Sequence, residues 1–189
     1  MIASIGLDLE TRLTLRLDKE IDVQINTIIP RMQGIAQEFE IEKADKKSPF
    51  RNILSFSTET SSLEAIKTQI RYQIGRSESS RVWKIQKPKG VFALVVANQL
   101  EELIKDAKDI LSRVKNILIE EDTLKEYLES RETLIEQDIH LKLTRLYLGY
   151  LAREHTARVG EIKFSNDQEL EQKSLKIKPN KKVFRYLLC

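Results

Sequence analysis

Apolar residues recur at every third or fourth position over most of the chain, which is the pattern of amphipathic α-helices. The clearest stretch has a 4-3-4-3-4-3 spacing and consists of Val96, Leu100, Leu103, Ala107, Ile110, Val114 and Ile117. This seam predicts a helix over residues 91–119. We expect the seam to pack inside a bundle rather than in a free coiled coil, because natural coiled coils usually sustain the heptad pattern over a longer stretch.

Two further stripes predict helices on either side of this seam. They consist of Leu63, Ile66, Ile70 and Ile74, and of Ile139, Leu143, Leu146, Tyr150 and Leu151. Ser48, followed by proline, and Ser61, with a glutamate three positions on, predict helix starts. Gly75 and Gly160 are suited to end the two helices.

The amino-terminal residues allow two interpretations. Apolar and polar residues alternate over 5–17, which is typical of a strand, whereas Leu13, Leu17, Ile21, Ile25 and Ile28 fit a helical stripe. We favour a helix from about Leu13 and leave 5–9 open. Pro30 is expected to kink this helix or to start the next one.

The fold class that these patterns predict is all-α. Only 6 glycines and 4 prolines occur in 189 residues, fewer than all-β proteins usually need for their turns. We expect a compact bundle of about five helices over 1–164, with the state of 1–20 left open. Residues 165–189 are polar and basic and are expected to form a tail, possessing a short apolar patch near its end.

Several features favour a soluble cytoplasmic protein. No uncharged apolar stretch approaches the length of a membrane span, and the first residues do not resemble a secretory signal. The single cysteine, Cys189, permits no internal disulfide, which fits a reducing compartment. We therefore expect a cytoplasmic location and no contact with a membrane.

Charge is segregated along the chain although the net charge is only +3. Residues 67–89 contain seven cations and one acid, and 173–189 contain six cations and no acid. Residues 98–138 contain twelve acids and six bases. Such segregation indicates one face for a polyanion and another for a different partner.

The residues offer no convincing catalytic or metal site. His140 and His155 lie fifteen positions apart on one predicted helix, more than about 20 Å, so they cannot share a metal ion. No glycine-rich phosphate loop or cysteine cluster occurs, and Cys189 lacks a scaffold that would orient it as a nucleophile. We expect a protein that is not an enzyme and that needs no metal, cofactor or small-molecule substrate.

The basic segment favours binding to a nucleic-acid backbone. Lys67 and Arg71 are four residues apart on one helix, and Arg76 and Arg81 continue beyond its end. Cations in this arrangement can follow phosphates without reading sequence. Tyr72 and Trp83 lie among them and can stack on bases, but we favour a place in the core for both.

Three segments carry a family resemblance. Residues 48–54 read SPFRNIL, 67–76 read KTQIRYQIGR and 146–155 read LYLGYLAREH. They resemble the small helical subunit of type III CRISPR effector complexes, in the Csm branch. The resemblance extends over residues 30–80 and 139–160.

The resemblance implies a non-catalytic subunit that stacks in several copies along guide RNA paired with target RNA. Its other partners would be the large subunit and the backbone subunits of the ribonucleoprotein. The matching cations, Arg51, Lys67, Arg71 and Arg76, would contact RNA, together with Arg145 and Arg153 from the last helix and Arg81 from the basic segment. The alternatives are a helical protein–protein adaptor without nucleic-acid binding and, ranked last, a helical DNA binder.

Overall fold

The computed structural model describes residues 2–44, 49–118 and 122–176. Its helices are α1 (Ile2–Phe39), α2 (Arg51–Glu59), α3 (Leu63–Gly75), α4 (Phe92–Ile117), α5 (Asp122–Glu129) and α6 (Glu132–Lys176). Short 3-10 turns occupy Ile41–Lys43 and Arg81–Lys84, and strands β1 (Gln86–Lys87) and β2 (Gly90–Val91) form a small antiparallel hairpin. The prediction of an all-α bundle is confirmed.

Helix α4 lies at the centre of the bundle, between α1, α3 and α6. Its predicted seam is buried from Val96 to Val114, whereas Ile117 at the end of the helix is 52% exposed. The heptad spacing therefore serves packing within the bundle, as expected. Burial of such a stripe is the main source of stability for a helix of this length.

Helix α1 begins at Ile2, so residues 5–9 are helical and the strand interpretation is wrong. Leu13, Ile21, Ile25 and Ile28 are buried at helical spacing, and this long-range packing outweighs the local alternation. The helical stripe was the stronger signal because it extends far beyond residue 17.

Pro30 lies inside α1 and does not start a new helix. Met32, Ala36 and Phe39 continue the buried stripe beyond it, so packing holds the helix together across the proline. The proline ring is exposed, which leaves water free to satisfy the carbonyl group that lacks its helical partner.

The two predicted serine caps have different outcomes. Helix α2 begins at Arg51, after Phe50 as a cap residue without a side-chain hydrogen bond, and Ser48 lies outside the described residues. Helix α3 is capped by Ser62 rather than Ser61, because the Ser62 hydroxyl accepts a hydrogen bond from the Ala65 N–H at 3.2 Å. The predicted end at Gly75 is confirmed.

An aromatic cluster anchors the hairpin and α2 to the bundle. The ring of Phe50 lies 5.1 Å from Trp83 and 6.1 Å from Phe92, and the His155 ring meets it edge-on at 5.6 Å. Gly90 has φ +120°, a conformation open to glycine but not to other residues, and it closes the hairpin turn. Trp83 thus belongs to the core, as predicted.

Helix α6 continues through Gly160 and across the predicted boundary at residue 164. The predicted stop at Gly160 is wrong, because a glycine costs a helix only about 1 kcal/mol and good helix formers surround it. Among the residues whose burial is described, Val159 is the last buried one, and every residue from 160 to 170 is exposed. The end of α6 therefore projects from the bundle. Residues 177–189 of the predicted tail lie outside the described residues.

Candidate nucleic-acid interface

A shallow groove between α2 and α6 brings Arg51 and Arg153 together. Both arginines are exposed, and they border a floor of small and apolar side chains that includes Leu54 and Ala152. Gly149 lies in the same lining, and its missing side chain deepens the groove. The Arg153 guanidinium lies 5.2 Å from the centre of the Tyr150 ring, which orients it.

Arg71 and Tyr72 lie side by side on the outer face of α3. Arg71 is exposed and pairs with no acid in the part of the chain that the structure describes. Tyr72 is 58% exposed, so the expectation that it fills the core is wrong. A free guanidinium next to an exposed ring can hold a phosphate and stack on a base.

Arg76 ends α3 and faces the first turn of α2. It lines a small cavity with Asn52 and Gln73, which places it beside the helix start that also holds Arg51. Its guanidinium lies 3.8 Å from Glu78, a loose and exposed ion pair. Arg81 is exposed on the second 3-10 turn and has an interaction partner of its own.

Lys67 is held by two carboxylates rather than presented to solvent. Its ammonium group lies 2.8 Å from Glu64 and 3.0 Å from Glu101, and its side chain is only 12% exposed. Hydrogen bonds to Glu64 and Glu101 raise the pKa of Lys67 and keep it charged. Its charge is therefore neutralised within the protein, where the ion pair with Glu101 links α3 to α4.

Arg145 stabilises the end of α2. Its Nε donates to the Ser57 carbonyl at 2.9 Å, and a terminal nitrogen donates to the Thr60 carbonyl at 3.1 Å. The last carbonyl groups of a helix have no partner within the helix, and a nearby cation satisfies them. The structure therefore gives Arg145 a role in folding.

The hairpin lysines are also paired with acids. Lys87 lies 3.0 Å from Glu40, and Lys89 lies 2.6 Å from Glu38. Hydrogen bonds from Lys43 and Lys87 lower the pKa of Glu40 to about 2. Two of the seven cations counted over 67–89 are thus neutralised where the chain folds back on the end of α1.

The two histidines are buried structural residues. His140 lies with Nε2 2.7 Å from the Leu100 carbonyl oxygen, and His155 packs against Phe50. Within the described ranges, no three His, Cys, Asp or Glu side chains are grouped to hold a metal ion. None of the described helices combines the length and apolar character that crossing a membrane requires. Cys189 lies outside the described residues.

Sequence reasoning missed a polar network between α1 and α4. Its members are Glu20, Gln24, Arg31, Asp106 and Arg113. Asp106 is only 5% exposed and accepts from Gln24 at 2.6 Å and from Arg31 at 2.7 Å. An acid directly next to the apolar seam was the available signal, since a buried acid needs a partner.

These observations define a helical bundle with exposed arginines on and next to α2. Arg51 and Arg153 border one groove, Arg76 lies beside the start of α2, and Arg71 lies on the adjoining helix α3. We call these four residues the α2 surface. The other three predicted cations, Lys67, Arg81 and Arg145, have interaction partners within the chain. No protein-family model, no curated protein and no solved structure matches the chain. The family resemblance therefore stays a prediction.

Proposed function

We propose that this chain is a non-catalytic protein that binds an RNA backbone along the α2 surface. The observation that carries the proposal is the meeting of Arg51 and Arg153, from two different helices, at one open groove. Both guanidinium groups point to solvent at a surface of small side chains, where a phosphate backbone can approach closely.

The neighbouring side chains support the same interpretation. Arg71 adds a cation without an acidic partner among the described residues, and the exposed Tyr72 ring beside it suits an unpaired base. Contacts between cations and phosphates carry no sequence information. The proposed binding is therefore insensitive to sequence and sensitive to salt.

The more specific proposal is the small subunit of a type III CRISPR effector complex. Three of the motif residues, Arg51, Arg71 and Arg76, lie on the α2 surface. Guide RNA paired with target RNA would lie along this surface, and large and backbone subunits would contact other faces. A gene neighbourhood containing a polymerase-like large subunit and guide-binding subunits is expected, and its absence would count against this assignment.

The test compares two triple variants that remove the same charge. In the first, Arg51, Arg71 and Arg153 become alanine; in the second, the paired Lys67, Lys87 and Lys89 become alanine. We expect the first variant to bind single-stranded and duplex RNA more weakly by on the order of 10- to 100-fold, with a salt slope reduced by about 2 to 3. The second variant is expected to lose less than about threefold.

Fluorescence anisotropy with labelled RNA of unrelated sequences measures both variants over a salt series. Circular dichroism and thermal unfolding confirm that each variant remains folded. Equal losses in the two variants, or unchanged affinity in the first, would refute the α2 surface as the binding site.

A protein–protein adaptor is the second candidate, and one observation favours it. An apolar groove of about 430 Å³ lies between α1, α5 and the start of α6, away from the α2 surface. An adaptor that uses this groove binds no RNA at moderate salt. A gel-shift assay with unrelated single-stranded RNA and duplex DNA separates the two functions.

A further inference from the structure

The groove between α1, α5 and the start of α6 has an apolar floor with a charged rim. Leu13, Leu17 and Ile139 contribute to the floor, and Leu134 lies in the lining with its side chain 62% exposed. An isolated exposed leucine is ordinary, but one beside an open apolar groove indicates a surface that a partner covers.

The free charges on the rim are mainly negative. Asp18 and Lys142 pair with each other at 2.5 Å, and Arg131 lies 4.2 Å from the centre of the Tyr127 ring. Glu10 and Asp138 also belong to the rim and pair with no cation among the described residues. The groove therefore suits a segment that combines apolar side chains with positive charge.

The chain itself contains a segment of this kind outside the described residues. Positions 183–188 read VFRYLL, and Lys178, Lys181 and Lys182 precede them. No acid occurs from 173 to 189. Apolar side chains of this segment match the floor of the groove, and its cations match Glu10 and Asp138.

This segment cannot reach the groove of its own molecule. Helix α6 runs from Glu132 to Lys176, and the 34 residues that separate Lys142 from Lys176 span about 51 Å at about 1.5 Å per residue. The 12 residues from Lys176 to Leu188 extend at most about 43 Å. The projecting end of α6 thus carries the segment away from its own groove.

We propose that residues 183–188 of one copy dock in the α1–α5–α6 groove of a second copy. The two surfaces in this contact differ, so a docked pair still has a free groove on one copy and a free segment on the other, and copies join head to tail in rows or rings. The inference goes beyond the proposed function and requires no RNA. Its failure would leave the α2 surface untouched.

Disulfide trapping tests the contact directly, because Cys189 is the only cysteine of the chain. Leu134→Cys places a thiol in the groove, where the proposed contact would bring Cys189 of a second copy close to it. Tyr72→Cys is the control, since it places a thiol on α3 at a similarly exposed position. Under mild oxidation, we expect Leu134→Cys to form dimers and larger products on a non-reducing gel at least about tenfold faster than Tyr72→Cys. Equal rates, or an intramolecular product alone, would overturn the proposal.

Sedimentation without added cysteines gives a second measurement. The double variant Phe184→Ser and Leu187→Ser changes two apolar residues outside the described ranges, and Leu134→Glu changes an exposed side chain of the groove. Each is expected to weaken self-association at least about tenfold, while helicity by circular dichroism stays unchanged. A wild-type chain that stays monomeric, or variants that associate as tightly as it does, would contradict the contact. If the groove binds a different protein and the chain does not self-associate, the proposed contact between copies is also excluded.

Discussion

Two groups of cations in this protein differ in how the fold uses them. Lys67, Lys87 and Lys89 lie within 23 residues of sequence, and each is paired with a carboxylate from α3, from α4 or from the end of α1 and the residue that follows it. Arg51 and Arg153 are far apart in sequence, and the packing of α2 on α6 brings them to one exposed groove. Packing between helices therefore decides which cations stay available, and the frequency of basic residues in the sequence does not decide it alone.

The difference has a physical origin in the neighbouring helices. Glu101 belongs to the part of the acidic stretch that lies on α4, against α3, so Lys67 finds an acid within reach on the neighbouring helix as well as Glu64 on its own. Helix α2 packs instead against a part of α6 that presents Gly149 and Ala152. A cation beside small apolar side chains keeps its charge available to a ligand.

The largest expected effect concerns Arg145, which is anchored rather than free. Arg145→Ala removes two charge-assisted hydrogen bonds to the end of α2 and should lower the free energy of unfolding by about 2 kcal/mol. Arg153→Ala, as a matched control on the same helix, should change it by less than about 0.5 kcal/mol. Urea unfolding measures both. If Arg153→Ala lowered the free energy of unfolding more than Arg145→Ala, the assignment of Arg145 as anchored and Arg153 as free would be wrong.

An intermediate effect is expected when paired lysines are set free. Glu38→Gln with Glu40→Gln removes the partners of Lys89 and Lys87 and should raise RNA affinity by about 2- to 5-fold. The pair Asp109→Asn and Glu161→Gln makes the same charge change on exposed sites elsewhere. Anisotropy titrations compare the two. An equal gain in both would mean that only net charge matters.

The smallest expected effect is a change in how the free energy of unfolding depends on pH in the acidic range. The pKa of Glu40 is about 2 in the folded protein against 4.5 without its partners, because Lys43 and Lys87 bind the charged form. Its stabilising contribution is therefore complete above about pH 5 and disappears as the pH falls from 4.5 towards 2. Urea unfolding at several pH values should show a shallower acid loss for Glu40→Gln than for the wild type. Parallel curves would exclude the contribution.

The fold was largely predictable because its helices carry uninterrupted apolar stripes. The seam on α4 and the stripe on α3 gave correct helices, since burial of one face determines both. Residues with weak local effects misled the prediction. Gly160 and Pro30 suggested breaks, but neither outweighs the packing and helix propensity of the residues around it.

The candidate site was predictable only in part. The motif residues Arg51 and Arg71 were identified, and both are exposed. That Lys67 and Arg145 have partners within the bundle depends on which acids and carbonyl groups the fold brings close, and no local pattern contains this information. The exposure of Tyr72 could not be predicted from a local pattern either. It lies on the outer face of α3 because α4 packs against the other face.

The projection of α6 also governs how the molecule moves in solution. From Val159 to Lys176 the helix extends by about 26 Å, and the residues after Val159 are all exposed as far as residue 170. A molecule with such a projecting helix experiences more hydrodynamic friction than a sphere of equal mass. Rotational diffusion is then anisotropic, and NMR relaxation rates of backbone amides should depend on the angle between each N–H bond and the axis of α6.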